Sequence, residues 1–321
     1  MLAVSATDID PQDPLRVLEV GQRSEPQAAE GWTIVNVKAT SLNHHDLWSL
    51  RGVGLSRERL PMILGCDAAG VDQDGNEVVV HAVISEDSWR GDETFDPQRS
   101  LLSERYQGTF AQQVAVPRRN LVPKPPELSF AQAACLPTAW LTAYRMLFTR
   151  GRVLPGSTIL VQGASGGVAT AVTVLASAAG VRVWVTGRSE HKRAQALELG
   201  ADQAFEPGAR LPERVDAVME TTGRATWGHS IRALRPGGTI VVSGATTGDA
   251  TPAELTRVFF LQLSVIGSTM GTRDELERLM RFCVEKELRP VIHDTLALAD
   301  ARRGFELMLA GEMLGKIVFT L

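Results

Sequence analysis

Between Thr158 and Arg188, two runs of β-branched residues flank a glycine turn and an alanine- and valine-rich segment. This order fits a strand, a helix and a second, parallel strand. The first run is Thr158-Ile-Leu-Val-Gln162, the turn is Gly163-Ala164-Ser165-Gly166-Gly167-Val168, and the second run follows Gly180 as Val181-Arg-Val-Trp-Val-Thr186. Chain leaving a parallel strand must turn tightly, and glycines at 163, 166 and 167 remove the side chains that would keep a bulky anion off the backbone. Once Val168 opens the helix, its unpaired N–H groups and positive dipole end point at the same place, which favours a pyrophosphate. Ala169 gives the small residue that close helix–strand packing needs. Such a turn can also be a plain link, but with both strands and the helix present the pattern predicts a dinucleotide site.

The tip of the second strand bears on which dinucleotide. A site for the unphosphorylated cofactor usually places Asp or Glu there to hold the ribose 2′-hydroxyl. This chain has Gly187, Arg188 and Ser189, with Lys192 one turn on. No carboxylate at the tip repels a 2′-phosphate, and Arg188 can grip one with a planar donor fork. NADPH is therefore expected over NADH. The plainer reading is a solvated helix start, in which Glu190 balances Arg188 and Lys192.

At 321 residues the chain suits two domains. A net charge of −4 with 44% hydrophobic residues gives no electrostatic bias toward nucleic acid or an anionic membrane. No apolar run reaches the roughly 20 residues that would span a bilayer, and the start of the chain lacks a signal-peptide pattern, so a cytoplasmic location is expected. The 3 cysteines, Cys66, Cys135 and Cys283, are isolated, which leaves no disulfide framework and no closed zinc site.

Trp32 to Ser41 alternates as a strand does and ends at Leu42-Asn43-His44-His45-Asp46-Leu47-Trp48. Short strands are predicted within Pro61–Gly70, Gly75–Ile84 and Gly108–Pro117. The polar stretch Ser85–Gln107 reads as a long surface loop able to order over a site. Helices are predicted from Ser129, a capping serine, and over Thr138–Phe148. After the central unit, a helix at Glu190–Leu199 and strands at Ala217–Glu220, Thr239–Ser243 and Leu263–Gly267 alternate, which means a doubly wound parallel sheet. Ligands bind at the carboxyl ends of such strands, nominating Thr221, Thr222, Gly223, Ser243, Gly244 and Ala245. A final helix, Asp300–Ala310, and the strand Lys316–Thr320 are expected to return to the first domain.

Several landmarks stand in one order: Asn43-His44-His45-Asp46-Leu47-Trp48, Leu64-Gly65-Cys66-Asp67-Ala-Ala-Gly70, Gly108-Thr-Phe-Ala-Gln, Gly163 to Val168, Leu199-Gly-Ala-Asp202, Arg235-Pro-Gly-Gly238 and Gly267-Ser-Thr-Met-Gly271. In this order the chain resembles the medium-chain dehydrogenase/reductase superfamily over nearly its whole length. The resemblance implies an α/β fold, with a GroES-like β-rich catalytic domain (1–125 with 290–321) and a Rossmann NADPH-binding domain (126–289). It also implies a homodimer that joins two sheets near Leu263–Gly267. Zinc members place cysteine at the position of Asn43, His-Glu at Cys66-Asp67 and a further cysteine near Thr138. Here Cys66 and Asp67 alone match as weak metal ligands, short of the three or so a catalytic zinc needs. The chain therefore resembles the zinc-free, quinone oxidoreductase-like branch, with His44, His45 and Cys66 as the other conceivable metal donors.

Without a metal, reduction of a carbonyl-conjugated double bond is the natural chemistry. Hydride goes to the β-carbon, and hydrogen-bond donors must stabilise the enolate. Asn43 is expected to orient nicotinamide and substrate, and His44 or His45 to stabilise the enolate or deliver a proton. Asp46 either orders this loop or caps the following helix. Trp48 is expected to line the substrate pocket; Tyr144 is a second pocket candidate, though a tyrosine in an apolar helix usually packs in the core. By resemblance, Thr142, Ser268, Thr269 and Met270 lie along the nicotinamide and Lys316 lies near the cofactor. The alternatives are a zinc-dependent alcohol dehydrogenase and an NADPH-binding protein without activity.

Overall fold

The computed structural model describes residues 1–249 and 251–321. The chain divides into two compact units, Met1–Leu141 with Met270–Leu321, and Thr142–Thr269.

The first unit is β-rich. Trp32–Ser41 is a strand as predicted, and its alternating residues Val35, Val37 and Ala39 are buried. It pairs antiparallel with Ala68–Asp72, Gln113–Pro117 and the C-terminal strand Lys316–Thr320. The chain's last strand therefore completes the sheet that its first third begins. The strip 85–107 is mostly irregular, with short pieces at Glu93–Phe95 and Ser100–Leu101.

The second unit holds a 6-stranded parallel sheet, in which Thr158–Gln162 lies between Arg182–Thr186 and Val215–Glu220. The remaining strands are Gln203–Phe205, Leu234–Val242 and Ser264–Gly267, the last at one edge. The helix after the glycine turn is Gly167–Ala178, with Gly166 as its N-cap. Val168 thus takes the second helical position. Expectation and structure agree on an α/β fold with a GroES-like part and a doubly wound parallel sheet.

The division of the chain differs from the expected 1–125/126–289/290–321. The stretches 126–141 and 270–289 lie in the first unit. The helix Phe130–Ala134 packs on the strands Trp32–Ser41 and Ala68–Asp72, and the helix Arg273–Glu285 packs against 136–140 and the strand Leu121–Pro123. The first boundary falls inside the helical run that contains Leu141–Tyr144.

Candidate active site

In the first unit, the strand Trp32–Ser41 delivers Asn43 to the N-cap of a helix, His44–Leu50. Asp46 reaches back from the third helical position, and its Oδ2 accepts the Asn43 N–H at 2.8 Å. Its Oδ1 accepts from the Gly65 N–H at 3.0 Å. Asp46 is fully buried, and burial pushes its carboxyl up to about 6. The helix starts at His44 with Asn43 as its N-cap, so Asp46 does not precede a helix begun at Leu47; from within the first turn it closes a capping box and also ties the helix to Gly65.

Lys316 carries a buried ammonium into this network. Its Nζ donates to the Leu42 carbonyl at 2.7 Å and to Asn43 Oδ1, and pairs with Asp67 Oδ2 at 3.4 Å. The Asn43 amide in turn donates to Asp67 Oδ2 at 2.8 Å and to the Ser41 carbonyl at 3.2 Å. Both ends of the Asn43 amide, expected to orient nicotinamide and substrate, are engaged within the unit. Lys316, expected near the cofactor, is 2% exposed and occupied by these acceptors.

The two histidines separate. His44 is exposed and makes no hydrogen bond among the described residues; its partly packed surroundings, then the Lys316 and Arg51 charges, lower its pKa. His45 uses both ring nitrogens: Nδ1 lies 3.3 Å from Cys66 Sγ and Nε2 lies 3.1 Å from Glu104 Oε1. Glu104, in the loop 85–107, is held by the Leu101 N–H at 3.0 Å. Sequence reasoning missed it, because nothing local marks a carboxylate that acts 59 residues from its partner. Burial opposes a charged His45, but Cys66, Glu104 and Asp46 outweigh it and raise its pKa well above 6.5. Burial also pushes the Cys66 thiol up, against the pull of the His45 ring.

This pairing has a pH signature. A raised histidine pKa adds stability that is present below 6.5 and is lost as pH rises through the folded-state value. Glu104, whose pKa is lowered by His45 and the Leu101 N–H against the effect of burial, adds stability above 4.5 that is lost in acid. Glu104→Gln is expected to flatten the alkaline limb of a stability–pH profile followed by urea unfolding; an unchanged limb would exclude the pair as its cause.

Most donors a zinc here would need are already engaged, though Asp67 Oδ1 is buried without a hydrogen-bond partner among the described residues. Cys66 and Asp67, the expected weak ligands, part company: the thiol faces His45 and the carboxylate faces Lys316. His45, Asp46 and Cys66 have ligand atoms within 4.8 Å of one another, yet both Asp46 oxygens cap N–H groups and the thiol is bonded to the ring and to the Leu102 carbonyl at 3.2 Å. A buried ammonium bound to Asn43 and Asp67 further opposes a dication nearby. These contacts leave a zinc few free donors, Asp67 Oδ1 aside. Trp48 is half-buried, with the Arg51 guanidinium 5.5 Å from its ring centroid.

In the second unit the glycine turn is open. Gly163 has φ +92°, a conformation that side chains disfavour. A Cβ on Gly166 would meet no atom within 4 Å, so protein packing does not dictate that glycine. Ala164 is buried, and Ser165, Gly166, Gly167 and Val168 are half-buried around the helix start. At the neighbouring tip Gly187 is buried while Arg188 and Ser189 are exposed. Arg193, which sequence reasoning passed over, donates to the Gly187 carbonyl at 2.7 Å and shapes this turn. Lys192 is half-buried. Thr221, Thr222 and Gly223 follow Val215–Glu220, and Ser243, Gly244 and Ala245 follow Leu234–Val242, at the same sheet edge. Thr142 is buried, Tyr144 stacks edge-on with Phe148 at 5.0 Å, and the Ser268 N–H bonds the Val242 carbonyl at 2.9 Å. Thr269 is exposed, and Met270, in the first unit, has φ +48°.

Comparison with known proteins agrees with both halves. Residues 29–126 match the model of the alcohol dehydrogenase GroES-like domain, and residues 167–285 match that of the zinc-binding dehydrogenase. An acryloyl-coenzyme A reductase from Metallosphaera sedula is 28% identical over 324 residues, covering 94% of this chain and 96% of that protein. A crotonyl-CoA carboxylase/reductase from Cereibacter sphaeroides is 26% identical over 342 residues, covering 90% and 80%. A crystal structure of an NAD-dependent alcohol dehydrogenase superposes with a TM-score of 0.91 at 33% identity, covering 100% of both chains. With both domain models matched and this likeness over its full length, the chain belongs to the medium-chain dehydrogenase/reductase superfamily.

Proposed function

We propose that this chain is an NADPH-dependent oxidoreductase that passes hydride to α,β-unsaturated carbonyl compounds, enoyl thioesters and quinones included, without a catalytic zinc. The observation that carries the reading is the Lys316 ammonium bonded to Asn43 and Asp67, at positions where zinc members of the family place ligands. NADPH supplies the hydride. The open glycine turn takes its pyrophosphate and the exposed Arg188 its 2′-phosphate. His44, exposed and without a protein partner, is the group free to meet substrate; as a neutral imidazole it donates its N–H to the oxygen that becomes the enolate. Lys316, Asn43 and Asp46 hold the helix start that presents it, and Trp48 adds an apolar wall. The curated relatives named for acryloyl- and crotonyl-CoA reduction act on this type of conjugated carbonyl.

A panel of an enone, an enoyl thioester, 1,4-benzoquinone and an aldehyde tests this by NADPH consumption. Turnover of conjugated carbonyls supports it, aldehyde turnover alone overturns it, and turnover of none leaves the inactive NADPH-binding protein. The zinc-dependent alcohol dehydrogenase is the second reading, favoured by the NAD-dependent alcohol dehydrogenase structure and by the proximity of His45, Asp46 and Cys66.

The cofactor assignment carries its own prediction. Arg188→Ala is expected to weaken NADPH binding about tenfold and to leave NADH nearly unchanged, as befits one lost charge-assisted contact at an exposed site. Fluorescence titration checks it, and equal losses for both cofactors would count against Arg188 as the 2′-phosphate ligand.

The proposed assembly is a homodimer, formed by pairing the edge strands Ser264–Gly267. The second unit exposes Leu255, Phe259 and Phe260 at 70%, 69% and 76%, more apolar surface than single scattered residues explain. Among the described residues no helix is long and apolar enough to cross a membrane; a cytoplasmic enzyme acting on small molecules, with no nucleic-acid partner, completes the proposal.

A further inference from the structure

At the tip of the strand Val215–Glu220 a carboxylate is buried among neutral donors. Glu220 is fully buried. Its Oε1 accepts the N–H groups of Thr222 at 2.8 Å and Gly223 at 3.0 Å, and the Thr226 hydroxyl lies 2.9 Å from each oxygen. Its Oε2 accepts from the Ser230 hydroxyl at 2.6 Å. Burying a charge is costly unless it is well bonded, and here every donor comes from the turn after the strand or from the helix that follows.

The charge also dictates direction. A carboxylate only accepts, so Ser230 must donate to it and its oxygen is left to accept from Gln162 Nε2 at 2.9 Å. That fixes the Gln162 amide: Oε1 accepts from the Thr186 hydroxyl at 2.7 Å, and Thr186 in turn accepts from the Gly163 N–H at 3.3 Å. The second Gln162 N–H meets His229 Nδ1 at 3.0 Å, so that ring must carry its proton on Nε2, which lies 2.9 Å from the Ala209 carbonyl. Burial lowers the His229 pKa, in keeping with a neutral ring. One unbroken, one-way network therefore joins the tips of Thr158–Gln162, Arg182–Thr186 and Val215–Glu220 to the glycine turn.

We infer that Glu220 is a positioning residue whose buried carboxylate anchors the Ser230 end of this network and the turn above it, and thereby holds the Gly163 and Thr222–Gly223 turns in the shape that receives the dinucleotide. The inference rests on the reading of this unit as the NADPH site. With glutamine at 220, Oε1 can still accept the Thr222 and Gly223 N–H groups, but the amide nitrogen then faces the Ser230 hydroxyl as a donor, so the Ser230 bond to the carboxylate is lost, while the Ala209 carbonyl keeps the His229 proton on Nε2.

The test uses the full chain, with NADPH titrated by fluorescence and the His229 tautomer read by 15N NMR. Wild type and Glu220→Gln are both expected to show the Nε2–H tautomer, held by the Ala209 carbonyl, and Glu220→Gln to raise the NADPH Kd about tenfold, with kcat at saturating NADPH held within about twofold. Ser230→Ala, which keeps the charge but cuts the link to Gln162, is expected to give a smaller rise. A Glu220→Gln protein that melts earlier yet binds NADPH as wild type does would overturn the inference and leave Glu220 a purely structural residue. Should Glu220→Gln fail to fold, Ser230→Ala and Thr186→Val decide: unchanged Kd in both overturns it, a raised Kd in both supports it. Wild-type protein that shows the Nε2–H tautomer but has no affinity for NADPH overturns the cofactor reading, and the inference with it.

Discussion

Lys316→Met is expected to cost about 3–5 kcal/mol of folding stability, because it strands a buried carboxylate. Asp67 is fully buried and Lys316 nearly so, and the ammonium also holds the Leu42 carbonyl and Asn43 Oδ1. Removing one member of such a pair leaves the other desolvated and uncompensated, whereas removing both relieves much of the cost. The double variant Asp67→Asn/Lys316→Met should therefore recover part of the loss, and the cycle of single and double variants isolates the pair. Urea unfolding measures it, with the signal taken from Trp32 and Trp48, since two units need not unfold together. A single variant within about 0.5 kcal/mol of wild type would mean that the pair is not the keystone of this network.

His44→Ala is expected to lower kcat on an enone roughly 100-fold, the scale of a lost proton-donating group, and to leave the NADPH Kd unchanged. His45→Ala should act differently, through stability and the order of the loop around Glu104, because both its ring nitrogens are taken inside the protein. The pH profile separates the two further. The lowered pKa of His44 keeps the ring neutral across the neutral range, so any limb from its protonation falls below 6.5. If His44→Ala retained full turnover while His45→Ala lost it at unchanged stability, the roles assigned to the pair would have to be exchanged.

The Rossmann half was largely legible, because its signals are local. The glycine turn, the strand tips and Arg188 each announce themselves within a few residues, and the sheet order follows from strands alternating with helices. The catalytic half was legible in its parts but not in its wiring. Asn43, His44, His45, Cys66 and Asp67 all stood out, yet Lys316 acts on Asp67 across 249 residues and Glu104 on His45 across 59. Periodicity carries no information about such pairs. One clue was present: a lysine opening the apolar run Ile317-Val-Phe319 must either face solvent or find a buried anion. Glu220 ends the apolar run Ala217-Val-Met219 in the same way and gave the same unused clue. The unit boundary at Leu141/Thr142 was hidden for another reason: helical pattern continues through it, and neither glycine nor proline marks the crossing.

NADPH oxidation at 340 nm with an enone, in chelator-treated and untreated protein with zinc measured on the same samples, tests the central claim most directly. The account predicts equal rates, substoichiometric zinc and slower turnover with NADH. Activity that falls on chelation and returns with added zinc would contradict it, and would assign His45, Asp46 and Cys66 to a metal.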